Sequence, residues 1–493
     1  TKAICSKFWS PDKYEFSPSQ KKAFGHLLEQ RLNVLVGPPA SGKTDFISRA
    51  LITLACYYKT ELGKNLKIMV TAMSHSAIEN VLLKLDKMLQ KQNLCDIHVY
   101  KVSRFDDEDA FKGGNVSEDQ IQIVGMTSWA AYKEFHNPKT GSMCTFDMIV
   151  MDEASQIRAM DAFLNLECSA EETRYLLVGD DDQLPPIIGG KYKEIEGEKY
   201  IHGSIFRMYI TGLGDGHSDI VKLSDNFRMN GILCKYPSMK LYGPEYKAFN
   251  DTIKKQRIKL KEKAGDELIA SLLDESYPLV FCELSGIARE QTEAEVSLVT
   301  SLIEELWDSQ MNEKTGNLAR VDGNFWRDVQ DHDGEFLEGA CGIITPHHEH
   351  INRLKTSVSN ALGLDRREIF IGTVDKLQGK ERKTVIVSYG VSETEKIINE
   401  SEFIFSSNRF NVSMTRGKAK TIIFLSDAIA EPNLTTNIMT ANDRTLKKGI
   451  DFIHGFSEYM RSCEDGEELV TEEYPFVIGD VSLKVWKKKL VDC

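Results

Sequence analysis

The stretch GPPASGKT, residues 37–44, decides how this chain is read. It fits G-x-x-x-x-G-K-[ST] at every fixed position. The apolar run NVLV (33–36) before it reads as a buried strand, and DFISRALITLACYY (45–58) after it as a helix. In that context the spacing serves phosphate binding. Backbone N–H groups of Gly37, Pro38–Ser41 (apart from the two prolines, Pro38 and Pro39) and Gly42 turn toward an anion, and the helix start adds its positive dipole end. Ala40 and Ser41 are small enough for a close cradle. Lys43 reaches the β and γ phosphates of ATP, and Thr44 offers a hydroxyl to Mg2+.

The 493 residues leave room for about two to four domains, and 41% hydrophobic residues are enough to fill their cores. Ten cysteines without a C-x-x-C pair read as reduced intracellular thiols. No apolar run approaches the ~18 residues of a membrane span. The start, TKAICSKFWSPDK, is not a signal peptide, and its lack of Met suits a processed or excised fragment. The net charge of −13 does not favour nucleic acid as a partner, but a groove needs only local basic or polar groups. Part of the acidity sits in CEDGEELVTEEY (463–474), expected to be solvated loop charge.

Further apolar strands follow the phosphate loop: KIMVTA (67–72), IQIVGMTS (121–128), FDMIVMDEAS (146–155) and RYLLVGDDDQLPP (174–186). A second series comprises PLVFCEL (278–284), CGIITP (341–346), EIFIGT (368–373), TVIVSY (384–389) and TIIFLSD (421–427). Alternation with helical stretches predicts two tandem α/β domains, each a parallel sheet flanked by helices, with the ATP site in the cleft between them. The expected boundaries are an extension at 1–15, domains at 16–210 and 211–440, and a C-terminal extension at 441–493. Residues 308–339 read as an acidic, Gly-rich excursion from the second domain. Within it, His332 flanked by Asp331 and Asp333 is a weak metal pattern; HHEH (347–350) reads as exposed histidines on a helix's first turn. The KKK of the tail fits either a solvated basic patch or a phosphate contact. Ser17, Pro18 and Gln20 form a capping-box pattern, and the Gln20 amide also matches the edge of adenine.

Asp152 and Glu153 end an apolar strand, where parallel sheets collect their sites. Asp152 suits Mg2+, and Glu153 suits the attacking water. Gln183, past the next strand, suits sensing of the γ phosphate. Phosphoryl transfer also calls for arginine, and Arg228 in LSDNFRMN and Arg416 in NVSMTRGK stand out as candidate fingers.

The ordered blocks FSPSQ, GPPASGKT, TAMSHSAIEN, GMTS, DEAS, GDDDQLPP, LSDNFRM, GIITP, TVDKLQGKE and RFNVSMTRGK resemble the superfamily 1 helicases, of the SF1B branch with its UPF1-like and Dna2-like members. The resemblance covers about four fifths of the chain, from Phe16 to Lys418. It implies that Gln20 contacts adenine and that Glu381 meets the nucleotide sugar. It places Gln183, Arg228 and Arg416 around the γ phosphate. Thr71, Ser74, His75, Thr127, Pro185, Thr345, Pro346, Thr373 and Gln378 line the face that grips a single strand. The chain departs from the usual pattern at Ala40-Ser41, at Asn226-Phe227, and at Ser413 and Gly417, without loss of a charged group.

The resemblance implies an ATP- and Mg2+-dependent helicase or translocase moving 5′ to 3′ on single-stranded DNA or RNA, as a monomeric motor core. A partner protein or missing domains of a larger polypeptide would complete it. No membrane is implied; the compartment is cytoplasmic, or nuclear for a piece of a nuclear protein. The alternative is an ATP-gated regulatory or scaffold ATPase that clamps nucleic acid with little unwinding. An ATPase acting on a non-nucleic partner fits the GDDDQLPP and Thr345-Pro346 blocks less well.

Overall fold

The computed structural model describes residues 16–92, 97–102, 120–135, 145–189, 203–214, 217–330, 336–377, 379–431 and 444–491. The chain divides into two compact units, residues 1–225 and 226–493.

In the first unit the parallel strands are β1 Leu32–Val36, β2 Lys67–Thr71, β3 Ile97–Lys101, β4 Ile121–Gly125, β5 Phe146–Met151, β6 Ser169–Gly179 and β7 Ile220–Lys222, in the order β3-β4-β2-β5-β6-β1-β7. Alternate side chains go to opposite faces, as the pleat demands. Ile68, Val70, Leu35, Leu176 and Val178 join one core, with α1 Pro18–Glu29, α2 Lys43–Leu62 and α3 His75–Gln92. Met69, Val34, Ile149 and Leu177 join the other, with α5 Ala159–Leu166 and α6 Ile205–Leu213; α4 Ser128–Phe135 lies beside α5. Residues 97–101 were not expected as a strand. IHVYK mixes polar and apolar side chains, and its three central residues stay half-buried.

The second unit has β8 Leu279–Ser285, β9 Cys341–Ile344, β10 Ile371–Gly372, β11 Arg382–Ser388, β12 Gly417–Ser426, β13 Glu467–Ile478 and β14 Val481–Leu490, ordered β10-β9-β11-β12-β8-β14-β13. The first five are parallel; β14 and β13 form an antiparallel hairpin on the β8 edge. One face packs under α7 Ala288–Ser309 and α8 His348–Leu362. On the other, the Phe281 ring meets Trp486 of β14 and Phe456 of α9 Arg444–Arg461. The fold is therefore two tandem P-loop-type α/β domains of the RecA-like kind, with the phosphate loop in the first.

The hairpin corrects two expectations. The acidic stretch at 463–474 is not solvated loop, because most of it is strand β13. The lysine triplet is not a solvated patch either, because Lys487 and Lys488 are buried. The acids and lysines neutralise each other across the hairpin: Lys488 meets Glu467 at 2.6 Å, Lys487 meets Glu472 at 2.5 Å and Lys489 meets Glu468 at 3.1 Å. HHEH differs from expectation as well. His350 is buried, with Nε2 at 2.7 Å from Ser388 Oγ. The stretch at 308–339 packs Ala319, Phe325 and Trp326 into the second core. Asp331, His332 and Asp333 lie outside the described residues, as does Gln378.

Candidate nucleotide site and its surroundings

The carboxyl edge of the first sheet gathers the candidate residues of that unit. Register fixes this: Val36 pairs with Gly179, Met151 with Leu177, and Thr71 with Met151. The residues that follow, Gly37, Asp180 and Asp152, therefore emerge side by side. Gly37 N donates to Gly179 O at 2.9 Å, and Asp152 N to Thr71 O at 2.9 Å.

The loop is tightly wound. A Cβ at Gly37 would lie 2.3 Å from Lys43 Cγ, so any side chain there must displace the lysine stem. Gly42 (φ 76°) and Ala40 (φ 59°) occupy the left-handed region, natural for the glycine and strained for the alanine. Lys43 Nζ donates to Gly37 O at 2.7 Å, which closes the loop on its own lysine. Ser41 is buried, and its hydroxyl has no hydrogen-bond partner among the described residues. Lys43 and Thr44 open α2.

Asp152 is 4% exposed. Burial, then the neighbouring Glu153 carboxylate, push its pKa up to about 7 against the pull of Lys43. Glu153 has φ 49°, a second strained residue. Its backbone N–H donates to Asp152 Oδ1 at 2.9 Å, and its carboxylate accepts from Gln156 Nε2 at 3.4 Å. The Ser155 and Thr71 hydroxyls are buried without hydrogen-bond partners among the described residues. Gln183 is buried, and its Nε2 donates to Asp180 Oδ2 at 2.7 Å. Asp180 was not singled out from the sequence, although the carboxylates of GDDDQ were its signal.

Gln20 is buried as half of a capping box: its Oε1 accepts from Ser17 N at 3.1 Å, and its N–H donates to Ser17 Oγ at 3.3 Å. Ser74 and Thr127 hydroxyls cap their helices, accepting from Ala77 N and Ala130 N. Ser74, His75 and Pro185 are exposed.

The candidates of the second unit fall at two edges of its sheet. Thr345 and Thr373 follow adjacent strands at the carboxyl edge, where Thr345 N donates to Gly372 O at 3.1 Å. Thr345 is buried with a hydroxyl that has no hydrogen-bond partner among the described residues, and Pro346 is half-buried. Glu381 and Arg416 precede β11 and β12 at the amino edge, where Arg382 N donates to Arg416 O at 3.1 Å. Arg416 Nε donates to Val412 O at 3.1 Å. Arg228 joins this amino-edge group through Glu381, which accepts from its Nε. Asn226 shapes the Arg228 loop: its Oδ1 accepts from Arg228 N at 3.0 Å and Met229 N at 2.9 Å.

The first unit thus offers a narrow glycine cradle, the two buried carboxylates of Asp152 and Asp180, a helix-start hydroxyl and a lysine beside them. Among the described residues no group of three or more His, Cys, Asp or Glu is placed to hold a metal. A Mg2+ held by one or two carboxylates together with phosphates needs no such cluster, so Thr44 and Asp152 fit it.

Two AAA domain models match the chain, one over residues 20–189 and the other over 202–427. The DNA replication ATP-dependent helicase/nuclease dna2 of Schizosaccharomyces pombe is 24% identical over 477 residues, 91% of this chain and 31% of that protein. The Xenopus laevis protein of the same description is 24% identical over 82% of this chain and 36% of its own length. The chain carries a P-loop NTPase architecture distantly related to Dna2-like and other superfamily 1 helicases. It spans about a third of the length of these relatives. A solved structure of the DUF1998 helicase MrfA bound to DNA aligns with 90% of this chain and 54% of that one, at TM-score 0.45 and 10% identity. Among the described residues, no helix is long and apolar enough to cross a membrane.

Proposed function

We propose that this chain is an ATP-driven motor that moves 5′ to 3′ along single-stranded nucleic acid and unwinds DNA or RNA duplexes. The observation that carries this reading is the meeting of loop 37–44 with Asp152 and Glu153 at one sheet edge. Lys43, leaving the Gly37 carbonyl, binds the β and γ phosphates, and the backbone from Gly37 to Gly42 cradles them. Thr44 and Asp152 would hold Mg2+, which neutralises phosphate charge when bound. Glu153 orients the attacking water and takes its proton. Gln183, held by Asp180, faces the γ phosphate. Arg228 and Arg416 supply guanidinium charge as hydrolysis proceeds, while Gln20 and Glu381 hold adenine and sugar.

Thr71, Ser74, His75, Thr127, Pro185, Thr345, Pro346, Thr373 and Gln378 form the track for a single strand. Hydroxyls and backbone N–H groups contact phosphates without reading bases. The Schizosaccharomyces pombe and Xenopus laevis relatives are DNA replication helicase/nucleases, which supports DNA as the polymer. The motor acts as a monomer in the cytoplasm or nucleus, with further domains or a partner protein supplying other activities.

Strand displacement on duplexes carrying a 5′ or a 3′ single-stranded tail tests the reading. The expected result is ATP-dependent opening of 5′-tailed duplexes only. Opening confined to 3′ tails overturns the polarity. Binding without opening of either duplex favours the ATP-gated clamp.

A further inference from the structure

Arg228 is tied into a chain of alternating charge within the second unit. Its Nε donates to Glu381 Oε2, and its Nη1 donates to Thr415 O at 3.2 Å. The second oxygen of Glu381, Oε1, meets Lys418 Nζ at 2.6 Å, and Lys418 in turn meets Glu338. The order is therefore Arg228, Glu381, Lys418, Glu338, and four separate stretches contribute it. Only Arg228 and Glu381 have a role proposed above; Lys418 and Glu338 have none.

The chain of charges is held by backbone as well as by attraction. Asn226 fixes the Arg228 loop, and Asn230 N donates to Lys418 O at 2.9 Å. That bond ties the segment two residues after Arg228 to Lys418 itself. Glu338 comes from the end of the 308–339 stretch, whose Asp328 carboxylate binds Arg382, next to Glu381, at 2.7 Å. The four side chains are 13%, 21%, 26% and 35% exposed in chain order, so water screens them only in part.

Two cations on one carboxylate have a definite effect. Burial would raise Glu381, yet Arg228 and Lys418 overcome it and hold the group well below the usual carboxylate range. Sharing the carboxylate with Lys418 also weakens its hold on Arg228. A lone Glu381–Arg228 pair would retain the guanidinium more firmly, and at a less defined angle. Burial and the Glu381 carboxylate push Glu338 up to about 7, against the pull of the Lys418 ammonium.

We infer that Lys418 and Glu338 are positioning residues for Arg228: they orient Glu381 and set how readily the guanidinium passes from Glu381 to a γ phosphate. The inference rests on the finger role proposed for Arg228. It extends control of that finger to the 308–339 stretch through Glu338.

The test pairs turnover with a direct view of Arg228 in the full chain. In steady-state ATP hydrolysis, Lys418→Met should lower kcat roughly tenfold or more, with KM for ATP within about threefold, since a positioning defect is felt in the transition state. Lys418→Arg should restore most of the loss. Glu338→Gln, three links from Arg228, should lower kcat by about two- to fivefold. The Arg228 Nε–Hε NMR signal, assigned through Arg228→Lys, reports the pairing without any turnover. It should be protected from exchange in the wild type and shifted in both Lys418→Met and Glu338→Gln.

An unshifted signal in both variants overturns the inference, whether or not the protein hydrolyses ATP. So does an unchanged kcat in Lys418→Met. Absence of polymer-stimulated hydrolysis in the wild type counts instead against the motor reading, and the NMR signal then decides this one alone. Should Lys418→Met fail to fold, the near-isosteric Glu338→Gln still gives both readouts.

Discussion

The two sheets share one plan and use it differently. Five parallel strands run β4-β2-β5-β6-β1 in the first unit and β10-β9-β11-β12-β8 in the second. The counterpart of β1 is therefore β8. After β1 comes the glycine cradle of residues 37–42. After β8 come only Gly286 and Ile287 before α7 begins. That short turn is closed by its own chain: Gly286 O accepts from Gln291 Nε2 at 2.9 Å, and a Cβ on Gly286 would lie 2.6 Å from Asp480 O in the hairpin turn. The first turn is closed by the Lys43 side chain, which can leave, and by Ser41 N donating to Pro38 O at 3.2 Å. Around it lie two strained residues, Ala40 and Glu153, and three buried hydroxyls without hydrogen-bond partners among the described residues, on Ser41, Thr71 and Ser155. Strain and unmet polar groups cost stability and persist where a ligand gives something back. The comparison teaches that shared topology does not confer a nucleotide site; one loop does.

Four experiments sharpen or break that contrast. The largest effect should come from Gly37→Ala, whose methyl takes the space of the Lys43 stem. ATP affinity measured by titration should fall by about a hundredfold, while circular dichroism stays native, since lost phosphate contacts act in a water-poor cradle. The counterpart, Gly286→Ala, should do the reverse. Its clash is with backbone at φ 132°, so denaturant titration should show a loss of about 2–4 kcal/mol with nucleotide affinity unchanged. A loss of ATP binding in Gly286→Ala would break the contrast.

The third experiment reads how the second unit spends its polar groups on itself. Ser388 Oγ donates to Glu295 Oε1 at 2.6 Å, and Gly390 N donates to the same carboxylate at 3.0 Å. Burial raises Glu295 to about 7, against those hydrogen bonds, and lowers His350 to about 4. The folded Glu295 thus binds a proton more readily than the unfolded one, so its contribution to stability is lost as pH rises from about 4.5 to 7. The folded His350 binds a proton less readily, so its contribution grows as pH rises from about 4 to 6.5. In the wild type the two slopes oppose each other. Urea titrations across this range should show stability falling with pH in His350→Gln and rising with pH in Glu295→Gln. Parallel slopes in the two variants would contradict the burial of both groups. The smallest effect belongs to Ala40→Gly. Relief of the left-handed strain is offset by the freedom of glycine in the unfolded chain, so stability should shift by less than about 1 kcal/mol, with ATP affinity retained.

The sequence made the phosphate loop and the central strands legible because each is local. Gly37, Gly42, Lys43 and Thr44 sit at fixed offsets, and the strands are continuous apolar runs. What stayed hidden depends on pairing at a distance. The β13–β14 hairpin carries charges on both strands, which mask the alternation until Glu467 meets Lys488. His350 looked like part of a polar helix start, and only the fold brings Ser388 to it across 38 positions. The Arg228–Glu381 pair spans 153 positions, and no spacing rule announces it. Gln20 shows the limit in the other direction: its capping box was readable, whereas a role toward adenine waits on measurement.

The most direct test of the account is ATP hydrolysis by the purified chain, alone and with matched single-stranded DNA or RNA, beside Glu153→Gln. The account predicts strong stimulation by at least one polymer and turnover lowered by about a thousandfold in the variant, which should still bind ATP. Turnover unmoved by either polymer, or an unimpaired Glu153→Gln, would contradict a nucleic-acid motor driven from the 37–44 loop.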